Sequence, residues 1–406
     1  MKIGLSSVFI STAAFAIAAA SARASVDYHG QTISGLNFTD SEYDAESFSN
    51  SDFSGVTAVG TTFSSSRTVR NFSGSNFEGS NLKDSLFSYS DLTGSNFSSS
   101  NLDGAYFISA HLAGVDFSGA TIYDASFTNT VQFGFTAEQL YSTASYKSGN
   151  LQYVNLEFND MGGWNFSGQD MTRANLSTSS VKNADFRNAN LTSAIFDASD
   201  LSGADFRGST GASWNASVTS NTILADGSVY GGAISLSGSS NSLIIRTSAS
   251  SAVNMTASGS VSGGAELSFV GKHSSSDNAL VRVSGENVSF DIGGAKLKVY
   301  LAEDFEGSSE IFLSLIEATG GAGIVAGELS RDDVSLLNSD GSIFGGAWDL
   351  QISDSGVGIL VGVPEPAAAA AIPSWFFRPI FALPPIGICK KTQPCGLRFF
   401  SEMWSR

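Results

Sequence analysis

Cysteine and proline are missing from nearly all of this chain. The 406 residues include 2 cysteines and 7 prolines. All of them lie at or beyond position 364: Pro364, Pro366, Pro373, Pro379, Pro384, Pro385, Pro394, Cys389 and Cys395. The body before them can therefore hold no disulfide framework, no cysteine-type zinc site and no catalytic cysteine. Histidine is almost as scarce: His29, His111 and His273 are the 3 present, each isolated in sequence. An isolated histidine reads as solvent-facing or locally satisfied rather than as a ligand or a base. Positive charge is also short, with 21 Lys+Arg against 38 Asp+Glu, for a net charge of −17. Such a balance opposes any general affinity for nucleic acid phosphates or an anionic membrane surface. No nucleophile elbow, phosphate-binding loop, zincin motif or calcium loop is present. No catalytic residue, cofactor or metal site is therefore expected, and the carboxylates spread along the chain read as solvation. The length allows two or three domains.

The two ends differ from the body. Residues 1–24 have the form of a secretory signal peptide. Lys2 supplies the basic start, Leu5 to Ala20 is a short apolar stretch, and Ala22-Arg23-Ala24 is an A-x-A cleavage site. The mature chain is expected to begin at Ser25, with signal peptidase as the processing partner. A cysteine-free body suits export, since nothing in it can be misoxidised. Both ends are net positive, so the body is more acidic than the total charge indicates.

What is abundant is a repeat. Large apolar residues recur every fifth position: Phe72, Phe77, Leu82, Phe87, Leu92, Phe97, Leu102, Phe107, Leu112, Phe117, Ile122 and Phe127. A second run follows: Leu151, Leu156, Met161, Phe166, Met171, Leu176, Val181, Phe186, Leu191, Phe196, Leu201 and Phe206. A period of five fits neither a helix nor a flat strand. Two residues before most of these positions stands Ser or Ala, as at Ser75, Ser80, Ser95, Ala174, Ala184 and Ala204. Asn or Asp often stands between the pair, as at Asn76, Asn96, Asp116, Asn175 and Asp205.

This pattern resembles the pentapeptide-repeat family, A(D/N)LXX, across residues 70–208. The resemblance implies an all-β architecture: a right-handed, quadrilateral β-helix with one pentapeptide per side and about twenty residues per coil. Residues twenty apart should then stack, and Phe77/Phe97/Phe117, Phe87/Phe107/Phe127 and Phe166/Phe186/Phe206 match one another. A period of ten would give the same Phe/Leu alternation, so the ladder is consistent with four sides without requiring them. Six coils at ~4.8 Å would give a rod of about 29 Å. Proline would delete a ladder N–H, which fits its absence here.

The remaining chain divides around this rod. Residues 25–66 keep the period in part (Ile33, Phe38, Tyr43, Phe48, Phe53, Phe63) and read as degenerate N-terminal coils, with a loop over 64–71 that resets the register. The rod itself spans 67–210. Near 136–146, Thr136 and Gln139 form a capping-box pattern, which predicts a short helix inserted at the side between two blocks of coils. The segment 134–176 also looks like a join found in exported pentapeptide-repeat proteins with a C-terminal sorting signal. Gly162-Gly163-Trp164 puts a large residue at a small position and predicts a bulge or a widened corner. Residues 211–363 show short alternating runs, among them Leu243/Ile245, Leu267/Phe269, Val281/Val283 and Leu297/Val299/Leu301. They read as a β-rich domain, either a sandwich or an irregular solenoid.

Val363-Pro364-Glu365-Pro366 opens the tail, 364–406. The sequence resembles the PEP-CTERM sorting signal, which implies that a membrane exosortase recognises Pro364, Glu365 and Pro366. The apolar span after it is broken by Pro373, Arg378, Pro379, Pro384 and Pro385, and prolines inside a helix cost about 3 kcal/mol each. The change of composition near residue 372 reads as a shifted reading frame or a disabled anchor, with the membrane met only transiently. Together these features predict an exported, non-enzymatic structural protein of the cell surface or extracellular matrix. The second reading is an adhesin or a module that binds polysaccharide or surface proteins. A third, remote one is a DNA mimic that protects a topoisomerase. Its acidic rod would suit that role, but the leader would place it in the wrong compartment, and nucleic acid itself is not an expected partner.

Overall fold

The computed structural model describes residues 3–4, 26–27, 29–33, 48–64, 69–213, 219–246, 252–272, 280–301, 311–327 and 329–361. The described residues belong to one compact unit within 1–363. The cleavage residues Ala22, Ala24 and Ser25, the sorting residues Pro364, Glu365 and Pro366, and His273 lie outside the described residues.

From Phe72 the chain winds in coils of four short sides, joined by parallel bridges between residues twenty apart. The four columns begin Asn71↔Asp91↔His111, Asn76↔Asn96↔Asp116, Asn81↔Asn101↔Thr121 and Leu86↔Tyr106↔Ser126. They are called faces A, B, C and D. The fold is thus the all-β solenoid that the repeat predicts.

Each residue of the pentapeptide has a physical task. The central residue points inward and starts a β-turn, closed by an N–H three residues on: Ser75 N donates to Phe72 O at 3.0 Å and Ser95 N to Leu92 O at 2.9 Å. Two residues after the centre the backbone is left-handed, with φ of 65° at Gly74, 66° at Gly94 and 61° at Tyr89. Positive φ there marks a type II turn. The Asn or Asp before the centre folds its side chain over the same turn. Asn71 Oδ1 accepts from Ser73 N at 2.9 Å and Asp116 Oδ1 from Ser118 N at 2.8 Å, a local bond that these short side chains make readily. The buried Ser one position earlier donates to a carbonyl, as Ser75 does to Phe48 O and Ser100 to Phe97 O, both at 2.7 Å. Most buried hydroxyls of the column are thereby satisfied, Ser209 being an exception.

The core is aromatic. Phe77 stacks on Phe97 with centroids 4.6 Å apart, and Phe87 on Phe107 at 5.3 Å. Across the coil the rings of opposite faces meet edge to face, Phe77 against Phe87 at 5.5 Å and 84°. Both arrangements suit the charge distribution of the ring. The coil before Phe72 repeats the scheme: Phe48 stacks on Phe72 and Phe53 on Phe77.

The helical insert is part of the winding. Ser126 bridges Asn155, 29 residues on, so one coil is nine residues longer than its neighbours. Within it, a 3-10 turn at Val131–Phe133 and the helices α1 (Ala137–Ser142) and α2 (Ala144–Lys147) replace the strands of faces A and B. Thr136 and Gln139 form the predicted capping box. Phe135 stacks on Phe127 at 4.6 Å, and both Phe135 and Leu140 are buried, continuing the core. The expected side insertion is therefore a substituted stretch of coil. Trp164 also differs from expectation. Its ladder bonds are regular, with Trp164 N donating to Met161 O and its own carbonyl accepting from Asp185 N. The indole packs on Phe135 at 5.9 Å. The long coil leaves room for a large side chain without a bulge.

Beyond residue 219 the four-sided scheme gives way to three longer sides. The strands are β1 (Ser235–Ser237), β2 (Ser242–Arg246), β3 (Val253–Met255), β4 (Gly259–Ser262), β5 (Glu266–Lys272), β6 (Val281–Ser284), β7 (Ser289–Asp291), β8 (Lys296–Leu301), β9 (Ile311–Thr319), β10 (Gly323–Val325), β11 (Val334–Leu337), β12 (Trp348–Ser353) and β13 (Gly356–Val361). Every third strand, up to β11, pairs in parallel. This gives the sheets β1-β4-β7-β10, β2-β5-β8-β11 and β3-β6-β9. Of the sandwich and the solenoid left open by the sequence, the structure is the solenoid. Its inward columns are mostly aliphatic, for example Leu243, Leu267, Leu297 and Val334, with Phe269 and Phe290 among them. At Gly259 an added Cβ would sit 2.2 Å from Ile234 O, so the coils pass too closely there for a side chain. The hairpin β12–β13 ends the stack, with β13 antiparallel to β9 and β12 at the sheet edge.

Candidate functional site

The outward columns of the four-sided solenoid are not equivalent. On faces A, B and C the position before the central residue is mostly Asn or Asp, as in Asn165↔Asp185↔Asp205 and Asn150↔Asp170↔Asn190. On face D the column reads Leu86, Tyr106, Ser126, Asn155, Asn175 and Ile195. The large apolar side chains exposed along this part of the chain are Tyr89, Tyr106, Tyr123, Phe158 and Ile195. All five belong to face D or to the turns flanking it. Tyr89 and Phe158 stand on one flank, and Tyr123 on the other, where it packs on Tyr153 at 5.3 Å. Arg173 lies over the Tyr153 ring and donates to its hydroxyl at 3.3 Å.

Tyr89, Tyr153 and Phe158 have φ of 61°, 62° and 59°. Gly74, Gly94 and Gly104 fill the equivalent position in some turns, and Asp84, Ser109, Asn129, Arg173, Thr178 and Ala198 in others. A bulky residue is disfavoured in this conformation, so these rings stand where the backbone would accept glycine more readily.

A buried charge cluster lies on face B, where the two solenoids meet. Arg207 and Asp205 are both buried and joined by two bonds, Nε to Oδ1 at 2.9 Å and Nη2 to Oδ2 at 2.6 Å. One coil earlier Arg187 grips Asp185 in the same way, at 2.9 and 2.7 Å. Strand β2 crosses this pair. Arg207 donates to Arg246 O at 2.6 Å, Arg246 Nη2 donates to Asn183 O at 2.9 Å, and Arg246 Nε lies 3.5 Å from Asp185 Oδ2. Burial alone would raise the Asp185 pKa, but the hydrogen bonds of Arg187 and the charge of Arg246 outweigh it and hold the carboxyl below its ordinary value. Burial lowers the Arg246 pKa against the opposing pull of Asp185. The cluster joins the solenoids, with three guanidinium groups around two carboxylates and Arg246 Nη1 buried without a hydrogen-bond partner among the described residues.

The insert has its own polar solution. Replacing a strand of face B by helices leaves the Asn165 peptide without the usual ladder partner. Two tyrosines take its place: Tyr141 Oη accepts from Asn165 N at 2.5 Å, and Tyr146 Oη donates to Asn165 O at 2.9 Å. On the opposite side Gln139 Nε2 donates to Leu112 O and Val115 O, both at 2.8 Å. Desolvation by burial pushes Tyr146 up to about 12 and raises Tyr141 as well.

The histidines of the rod and its start are placed singly. His111 stacks on Phe133 at 5.0 Å, and His29 Nδ1 pairs with Ser54 Oγ at 2.7 Å. Among the described residues no three His, Cys, Asp or Glu side chains come together to hold a metal ion, and no helix is long and apolar enough to cross a membrane. The sequence reading did not single out the face D rings or the Asp–Arg pairs. Their signals were present: Tyr or Ile in a slot otherwise held by Asn or Asp, and Asp-Phe-Arg written twice, at 185–187 and 205–207.

Family models of pentapeptide repeats match residues 87–131 and 170–208. Both matches fall within the four-sided solenoid. Among solved structures, HetL, a pentapeptide repeat protein involved in heterocyst differentiation regulation from the cyanobacterium Nostoc sp. strain PCC 7120, is 18% identical. The match covers 50% of this chain and 90% of HetL, with a TM-score of 0.20. QnrB1, a plasmid-mediated fluoroquinolone resistance protein, is 24% identical over 46% of this chain and 85% of its own, with a TM-score of 0.18. A pentapeptide repeat protein of the Arabidopsis thaliana thylakoid lumen is 19% identical over 43% and 68%, with a TM-score of 0.09. No curated protein matches the chain in sequence.

Proposed function

We propose that the protein is an exported, non-enzymatic structural rod of the cell surface or extracellular matrix. The observation that carries this reading is the use made of the outward carboxylates and amides. Asp91, Asp116 and Asp200 each accept the N–H of the residue two positions on, as Asn71 and Asn96 do. Side chains that would otherwise be candidates for acid–base chemistry are spent on holding the turns. The leader ending at Ala24, the cysteine-free acidic body and the Pro364-Glu365-Pro366 motif support export and sorting. Signal peptidase and an exosortase are the implied partners.

Fractionation of a tagged full-length chain, with and without residues 364–406, tests the reading. The N-terminus of the recovered protein is determined by mass spectrometry in each fraction. The expected species begins at Ser25 and is found outside the cytoplasm, and removing 364–406 changes where it is retained. A chain that stays in the cytoplasm with residues 1–24 attached would contradict the proposal.

A further inference from the structure

Face D differs from its neighbours in chemistry as well as in sequence. Along its six coils and the turns on its Tyr89 and Phe158 side the outward residues are Tyr, Phe, Leu, Ile, Ser, Thr, Asn and Ala, with Glu157 and Asp197 the charged side chains. It carries no cation, in a protein of net charge −17. An anionic ligand would meet no counter-charge there, and a cationic one would find better partners on the Asp-bearing faces A and B. What fits is an uncharged molecule with flat apolar surfaces and many hydroxyls. Aromatic rings meet such surfaces face on, while Ser, Thr and Asn pair with hydroxyls.

Size points the same way. Six coils at ~4.8 Å span about 24 Å between first and last, and one side of three extended residues is about 10 Å wide. The strip is therefore roughly 240 Å² in outline, well short of the ~800 Å² per partner that a stable protein interface buries. A second copy of this chain would also bring its own acidic faces alongside. A narrow, extended chain molecule has neither difficulty.

The exposed rings on this side are grouped in the turns as well as on the face. Tyr89 and Phe158 share one column of turns, at the left-handed position where φ is 61° and 59°. They are 57% and 53% exposed, so burial does not explain why rings are kept there. The same column holds Ser109, Asn129, Thr178 and Ala198 at φ of 53°, 57°, 55° and 58°, so the left-handed conformation belongs to the repeat, and what sets Tyr89 and Phe158 apart is their exposed rings.

We infer that face D and the turns on its Tyr89 and Phe158 side, which unlike the opposite flank with Lys83 and Arg173 hold no cation, are a binding surface for an uncharged, extended polysaccharide, with Tyr89, Tyr106 and Phe158 as its stacking platform. This goes beyond the structural role proposed above and does not depend on where the protein resides.

Native gel electrophoresis of the purified full chain tests it, in gels containing hydroxyethylcellulose or glucomannan and, as the charged comparison, alginate. Tyr89→Gly/Phe158→Gly removes two rings and relieves the left-handed backbone, so its melting temperature should be equal to or above that of the parent. Loss of binding in this variant is then not loss of fold. The expected result is retardation by a neutral glucan and not by alginate, weakened at least about tenfold in the double variant and in Tyr106→Ala, and unchanged in Glu78→Ala on the far side of the coil. The inference is overturned by no retardation in either neutral polymer, by retardation in alginate alone, or by retardation that survives the double variant. It is also overturned if sedimentation shows a dimer that Tyr106→Ala dissociates, because face D would then be a self-association surface.

Discussion

Single residues in this solenoid are constrained by a five-position grammar, and each position fails in its own way. Phe97 lies between Phe77 and Phe117 in its column and meets Phe87 and Phe107 edge on. Phe97→Asp would remove those contacts and bury a carboxylate without a partner. The expected cost is at least about 3 kcal/mol, read as a large fall in the thermal midpoint. An unchanged melting curve would refute the inward assignment. At the turn position the sign reverses. Tyr89→Gly relieves a left-handed backbone and should stabilise the chain by about 1 kcal/mol, measured by denaturant unfolding. The inward periodicity was legible from sequence because a buried column tolerates little but large apolar residues. The purpose of the Asn/Asp slot was not, because the same residue types suit a solvated face, and only the bonds from Asn71 and Asp116 to N–H groups two residues on reveal the turn.

Elements show where the repeat bends its own rule. The long coil between Phe127 and Leu151 keeps the core closed with Phe135 and Leu140, and keeps the ladder closed with side chains. Tyr141→Phe or Tyr146→Phe removes a hydroxyl from the Asn165 peptide and should cost about 1 kcal/mol each. The fold favours the neutral form of Tyr146, whose pKa lies above the ordinary phenol value. Its contribution is therefore intact below pH ~10 and is lost as pH rises from there through about 12. Ultraviolet titration of the phenols, run beside a stability curve, checks both the shift and its sign. The helix was predictable from Thr136 and Gln139, but its place in the winding was not, because local capping says nothing about which strand a helix replaces. In the second solenoid, β2, β5, β6 and β8 follow the predicted alternation. Strands β4, β10 and β13 are interspersed with glycine, and their pattern is too sparse to read without the partner strands. Gly259→Ala should destabilise this region through the clash with Ile234 O, seen as a lowered midpoint.

The whole of residues 48–361 is held together at the joint between two kinds of coil. Arg207→Met would remove both charged hydrogen bonds from the buried Asp205 and leave Arg187 Nε, 4.0 Å away, as a remaining cation; it should cost about 1–3 kcal/mol. Thermal unfolding reads this as a lowered midpoint. Asp185 has a lowered pKa in the fold. The stability it supplies is complete above the unfolded carboxyl value of ~3.9 and disappears as pH falls through the lower folded value. Acid should therefore loosen the joint in a window below pH ~4.

Amide hydrogen exchange on the full chain, followed by mass spectrometry, tests the continuous stack most directly. Protection should run from the coils at 69 onward through Phe135–Gly149 to residue 213, and be matched in the described strands beyond the Asp205–Arg246 joint. Peptides over 135–149 exchanging as fast as an unfolded chain, between two separately protected blocks, would contradict the account.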